Sequence, residues 1–228
     1  LGTGGALFVD GVTAGQSANI ATVELDSGGM ATFDNASTFK GLSVKANDIA
    51  INDTLDVSSG NLLIGASNGA AMGVGATPAT MTVDATELGR LRAKKLVFST
   101  TGSLTLDALT IDGSKITNEF GAIGGSMNIQ NGLVVPVDTV LETLTAGQGI
   151  TLNHSNNFFG GTLGFGTVGG NVSISNLSNR GQTLNLGLSS IGGGFNLDTS
   201  TGVRFSGAFN ANGTVDINTA QGIAFDDG

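Results

Sequence analysis

Apolar and polar residues alternate with a period of two through most of the chain, and the alternation returns at nearly constant intervals. Ser103-Leu104-Thr105-Leu106-Asp107-Ala108-Leu109-Thr110-Ile111 is one instance. Leu104 and Leu106 share a face, and one turn adjusts the phase so that Leu109 and Ile111 join them inside. The clearest repeat pairs Phe195-Asn196-Leu197-Asp198-Thr199-Ser200-Thr201-Gly202-Val203-Arg204-Phe205 with Val215-Asp216-Ile217-Asn218-Thr219-Ala220-Gln221-Gly222-Ile223-Ala224-Phe225, 20 residues on. Upstream, an apolar-x-apolar pair recurs at Val172/Ile174, Ile150/Leu152, Met127/Ile129, Leu104/Leu106, Met81/Val83, Leu62/Ile64, Leu42/Val44 and Val23/Leu25, at spacings of 19 to 23 residues.

A fixed period with strand-like alternation predicts an all-β solenoid: a right-handed parallel β-helix with about 20–23 residues per coil, three short strands to a coil, and about ten or eleven coils. The handedness follows from the rule for parallel crossovers. Stacked at about 4.8 Å, the coils would form a rod roughly 50 Å long. Helical periodicity is absent except in Asp84-Ala85-Thr86-Glu87-Leu88-Gly89-Arg90-Leu91, which is compatible with a single short turn. The chain reads as one continuous segment over 1–228, part of a longer chain, with less regular coils over 1–80 and more regular ones over 81–228.

Composition agrees with this reading. Glycine supplies 38 of 228 residues, charged residues only 12%, and Trp and Tyr are absent, while hydrophobic residues still reach 39%. The chain is too apolar for a disordered segment, and its glycines lack the three-residue period of collagen. A narrow interior favours Val, Ile, Leu, Ala and stacked Phe. Gly and Asn would supply φ > 0 corners, with Asn residues stacking into amide ladders and Thr, Ser and Asn covering the outside. Gly169-Gly170-Asn171, Gly192-Gly193-Gly194 and Asn212-Gly213 each precede an anchor pair, as corners should. The formal net charge of −9 opposes nucleic acid or an anionic membrane as a partner. No apolar run approaches a membrane span, so no membrane insertion is expected. The absence of Cys excludes Cys-based catalysis and Cys metal sites.

The runs Asn156-Asn157-Phe158-Phe159-Gly160-Gly161, Gly169-Gly170-Asn171-Val172-Ser173-Ile174, Leu184-Asn185-Leu186-Gly187 and Gly193-Gly194-Phe195-Asn196-Leu197 resemble repeats of large bacterial adhesins. These are the filamentous-haemagglutinin-like exoproteins of two-partner secretion and related autotransporter passengers. Glu87-Leu88-Gly89-Arg90-Leu91 followed by Lys95-Leu96-Val97-Phe98 is similar to them as well. The resemblance covers residues 81–228 well and 1–80 more loosely. It implies a right-handed β-helix, export to the bacterial cell surface past an outer-membrane transporter, and roles in attachment, aggregation or biofilm. The family's secretion domain carries Asn-Pro motifs, whereas the only prolines here, Pro78 and Pro136, do not follow Asn. No catalytic residues are defined for such repeats.

Candidate chemistry is sparse. His154 is the single histidine and lies in an Asn-rich corner, so it reads as a solvated turn residue. Asp48, Asp53 and Asp56 lie close together. Asp48 and Asp56 on one outer face, with Asn47 and Asn52, could supply oxygen ligands for Ca²⁺; Asp and Asn also dominate turns for conformational reasons alone. Asp226-Asp227 ends the sequence. Without Trp or Tyr there is no usual platform for stacking sugars. Arg90, Arg92, Lys94 and Lys95 supply four of the nine basic residues within six positions. Arg90, Arg92 and Lys94 alternate with Leu91 and Ala93 and would face outward, as a solvated strand face or as a contact patch for an acidic neighbour such as a second copy. The expected function is a non-enzymatic, extracellular structural or adhesive rod, touching other copies or a host or neighbouring cell surface. The alternatives are a self-assembling fibre or sheath subunit and a β-helix polysaccharide-processing enzyme.

Overall fold

A strand with one apolar face still needs partners for the hydrogen-bonding groups along both its edges, and here those partners are other strands of the same stack. The computed structural model describes residues 2–14 and 22–226. Every ladder among them is parallel. The chain is an all-β solenoid of about ten turns. One sheet runs its whole length, from Gly2–Thr3 through Leu42–Ala46, Leu55–Ala66, Leu91–Ser99, Ile116–Gly124, Asp138–Thr143, Thr162–Val168 and Leu184–Ile191 to Ile223–Phe225. The remaining strands form shorter sheets of three, five and four.

The last repeat pairs residue for residue as its sequence alignment predicts: Phe195 opposes Val215, Leu197 opposes Ile217, Val203 opposes Ile223, and Phe205 opposes Phe225. The phase adjustment in Ser103–Ile111 is made by Ala108, whose φ is +49°. That one left-handed residue lets Leu104, Leu106, Leu109 and Ile111 all be buried. The short helix forms at Ala85–Leu88, where the Asp84 and Glu87 side chains close a capping box. Inside the rod, Phe98 packs edge-on to Phe120 at 6.2 Å; at the last coil, exposed Phe225 stacks on buried Phe205 at 5.0 Å.

One coil departs from the period. Leu42 opposes Leu62, but Leu62 opposes Leu96, 34 residues on, and not Met81. Met81 instead pairs with Met72, and Met72 with Leu104, in the five-stranded sheet. Residues 67–90 thus insert an extra rung on another face. The chain rises to Met72–Gly75, doubles back through 76–80 to the parallel strand Met81–Val83, and returns through the short helix. The 19-residue interval from Leu62 to Met81 fits the period by coincidence, because an apolar-x-apolar pair can belong to any face.

The glycine corners stand where expected, but for a different reason. Gly193 and Gly213 lack a left-handed φ; a Cβ on Gly193 would lie 2.1 Å from Asn171 Oδ1, and one on Gly213 2.7 Å from the Gly194 nitrogen. Coils stack too closely there for any side chain. Asparagines do link coil to coil, mainly by bonding to backbone or to Asp rather than amide to amide. Asn179 Oδ1 accepts from Phe159 N at 2.8 Å, and its Nδ2 donates to Phe159 O at 3.3 Å and to Gln182 O at 3.1 Å. On the surface, Asn52 and Asn218 donate to Asp34 and Asp198.

Replacing buried Asn179 by Ala orphans both backbone groups of Phe159 and should cost about 2–4 kcal/mol in urea unfolding. Exposed Asn218→Ala should stay within about 0.5 kcal/mol of wild type. Equal losses would show that the inner amide is not what joins these coils.

Candidate functional site

The basic segment sits where the long strand Leu91–Ser99 turns a corner. Ala93 opposes Val57 and Ile116, whereas Lys95 opposes Asn61 and Glu119, so both neighbouring strands carry more residues around the bend than this one does. Lys94 occupies the bend and is exposed, as is Arg92, which lies beside Asp56. Neither forms an ion pair among the described residues. Lys95 is held by Glu119 at 2.7 Å.

Arg90 departs from the expected outward position. It is half-buried, and its guanidinium donates to the carbonyl of Ile51. Glu87 Oε1 accepts from the Ile51 nitrogen at 3.0 Å, so two side chains satisfy both backbone groups of a strand-end residue. Burial pushes the Glu87 carboxyl above its ordinary pKa, against the hydrogen bonds from Asp84 and Ile51 that favour its ionised form. Lys115 Nζ donates to Gly89 O at 2.6 Å and secures the other side of the helix. The sequence cluster therefore splits into structural cations, Arg90 and Lys95, and free ones, Arg92 and Lys94.

The calcium candidates are dispersed in use. Asp48 Oδ1 accepts from Ile49 N at 2.9 Å and Thr82 N at 3.0 Å, tying the inserted rung to the coil below. Asn52 is engaged with Asp34, and Asp56 accepts from Ser58 N at 2.8 Å. Among the described residues no group of three or more His, Cys, Asp or Glu side chains is placed to hold a metal. His154 is half-buried in a turn, where its Nδ1 accepts from Asn156 N at 3.2 Å. It lines an open groove of about 700 Å³ with Asn153, Asn176, Asp198 and Asn218. Asp226 accepts from Arg204 Nε at 2.7 Å, and Asp227 lies outside the described residues.

Two features escaped the sequence reading. The first is Asp107, buried where the insert meets the main stack. Its carboxylate accepts from the Thr77 hydroxyl at 2.5 Å and from Asn131 Nδ2 at 2.8 Å. Those bonds, Thr77 first, hold its pKa below the ordinary carboxylate value. The second is an apolar stripe on the outside of the long sheet. Leu63, Val97, Gly121, Val140 and Gly164 are successive ladder partners, and Leu63 is 36% exposed. The signal was present: Leu62-Leu63-Ile64 and Leu96-Val97-Phe98 are unbroken apolar triplets, and in a strand the middle residue of such a triplet must face away from its neighbours.

No protein-family model, curated protein or solved structure matches the chain.

Arg90→Ala should lower stability by about 1–3 kcal/mol by leaving the Ile51 carbonyl unsatisfied, whereas Arg92→Ala and Lys94→Ala should change it by less than about 0.5 kcal/mol. Chemical denaturation of the three variants decides this. Asp107 has a depressed folded pKa. Its contribution to stability is therefore complete above the unfolded carboxyl pKa of about 3.9 and is lost as pH falls through the lower folded value. Melting temperatures recorded from pH 6 to pH 2 should fall more steeply below about pH 4 for wild type than for Asp107→Asn. Parallel curves would remove Asp107 from the acid response.

Proposed function

We propose that this chain is a structural and adhesive segment of an extracellular rod on a bacterial surface. In this reading it acts through length, stiffness and the surface each coil presents, not through a reaction. The observation that carries it is the single sheet that continues from Gly2–Thr3 to Ile223–Phe225 without losing its ladder, even across the 34-residue step. In such a stack each coil contacts mainly its neighbours, so a longer chain means a longer rod of the same cross-section. The resemblance to filamentous-haemagglutinin-like repeats supports a secreted location and a role in attachment, aggregation or biofilm. Within that reading, an outer-membrane transporter serves as a partner during export, and other copies or a host or neighbouring cell surface serve as partners afterwards. The free cations Arg92 and Lys94 are the residues proposed to meet an acidic partner.

A second reading, a subunit of a self-assembling fibre or sheath, is favoured by the apolar stripe, since side-by-side association needs such a face.

Electron microscopy of the native secreted protein tests both. Thin, unbranched rods at least roughly 50 Å long, with beads coated in the protein adhering to cells, are expected for the adhesin. Regular filaments of many laterally or axially packed short chains would favour the fibre subunit. A compact particle, or coated beads that adhere no better than bare ones, would overturn the adhesin reading.

A further inference from the structure

The outer stripe has flanks that say what covers it. Two residues before each stripe position, on the same face, stand Asn61, Lys95, Glu119 and Asp138, themselves successive ladder partners. Two residues after lie Gly65, Ser99, Ile123 and Glu142, with the Glu142 carboxylate folded across Gly166. The result is a low, flat strip about 20 Å long and 13 Å wide, with an apolar centre line, one positive rung and negative rungs beside it. Gly121 and Gly164 keep the centre line low: both are buried, and a Cβ on Gly121 would already meet the Val97 side chain at 3.2 Å and one on Gly164 the Leu188 carbonyl oxygen at 2.9 Å. Exposed Leu188, 67% accessible, stands at the end of the strip.

We propose that this strip pairs with the same strip of a second copy, the two rods lying side by side and antiparallel. A two-fold axis along the strand direction at the Gly121 rung brings Val97 of each copy over Val140 of the other, Leu63 over the flat backbone at Gly164, and Ile123 over Ile123. The same operation sets Lys95 opposite Asp138 of the second copy. The two Glu119 carboxylates also approach, but each keeps its own Lys95 at 2.7 Å. A parallel arrangement fails on charge, because it swaps the flanks and sets Asp138 against Glu142 and Glu119 against Ile123. Charge complementarity therefore selects both the partner and its direction. The strip is small for a stable dimer, which places the affinity in the micromolar range, about 1–100 µM. The inference does not depend on the adhesin reading: a rod that stays monomeric would leave that reading standing.

Sedimentation equilibrium over about 1–300 µM tests it. Wild type should show a reversible monomer–dimer equilibrium. Val140→Lys would press an unpaired ammonium against Val97 twice in each dimer and should raise the dissociation constant at least about 100-fold. Lys95→Asp should weaken pairing, and Lys95→Asp with Asp138→Lys should restore it to within about threefold of wild type. Circular dichroism and melting curves of each variant establish that it is folded; Arg92→Ala, which lies off the strip, should dimerise as wild type does. A monomeric wild type, or a Val140→Lys variant that dimerises like wild type, would overturn the proposal. A charge-swapped pair that stays as weak as Lys95→Asp would overturn the antiparallel register.

Discussion

The parallel ladder between successive coils is the interaction on which everything else depends. Every strand has two edges of N–H and C=O groups, and a buried group left unpaired costs as much as a lost hydrogen bond. In this chain those groups are satisfied mainly along the rod axis by the coils above and below, and the cross-section is therefore free to be small. A small cross-section in turn explains the contents. Leu104, Leu106, Phe98 and Phe120 are completely buried, while Ser103, Thr105, Val97 and Ser99, each one position away, reach the surface. Corners must pack as closely as strands, which is why glycines collect where one coil's backbone rests on the next.

Where the ladder falters, side chains complete it. Ile51 ends a strand that the inserted rung covers only in part, and Glu87 and Arg90 supply the missing acceptor and donor. Asn157 and Asn179 do the same for Leu133 and Phe159 at an inner corner. Asp107 holds the doubled-back loop through Thr77. These polar residues have a common role although they share no motif: each replaces a backbone partner that an ideal solenoid would have provided. Charge in this protein is accordingly more a tool of the backbone than a mark of chemistry, and Arg90 belongs with these residues rather than with exposed Arg92 and Lys94.

Much of the fold was legible because period and alternation are local properties. The pairing of Phe195 with Val215 and a phase shift between Leu106 and Leu109 follow from counting residues. What counting could not supply was the face. Leu62/Ile64 and Met81/Val83 carry the same apolar-x-apolar signature at an unremarkable interval, yet they lie in different sheets. Nothing in a strand of three or four residues states which of several neighbours it will meet. The Gly-rich corners at Gly193 and Gly213 were placed correctly but owe their glycines to close stacking, whereas left-handed φ does occur at other glycines such as Gly132 and Gly181 and at Asn68, Asn131, Asn176 and Asn179. The candidate site was less legible still. Sequence proximity grouped Asp48, Asn52 and Asp56, and the folded chain directs each to a different backbone or side-chain partner.

The insertion clarifies how the outer surface is made. Residues 67–90 add a rung to one face, yet the long sheet crosses that interval with Leu62 directly beneath Leu96 and Leu63 beneath Val97. A mismatch of that size can be absorbed at a corner and a short helix because only the strands that share a ladder must keep register. The face away from the insert therefore stays continuous, and outward residues 34 positions apart in sequence become adjacent. The step from Leu63 to Val97, and from Asn61 to Lys95 beside it, is a consequence of that register, since the period that announces the fold would have separated them; the further steps through Gly121, Val140 and Gly164 follow the ordinary repeat. Surface properties of such a rod depend on which irregularities its ladder tolerates, and the least periodic coil still adds its Leu63 rung to a face that the regular coils build.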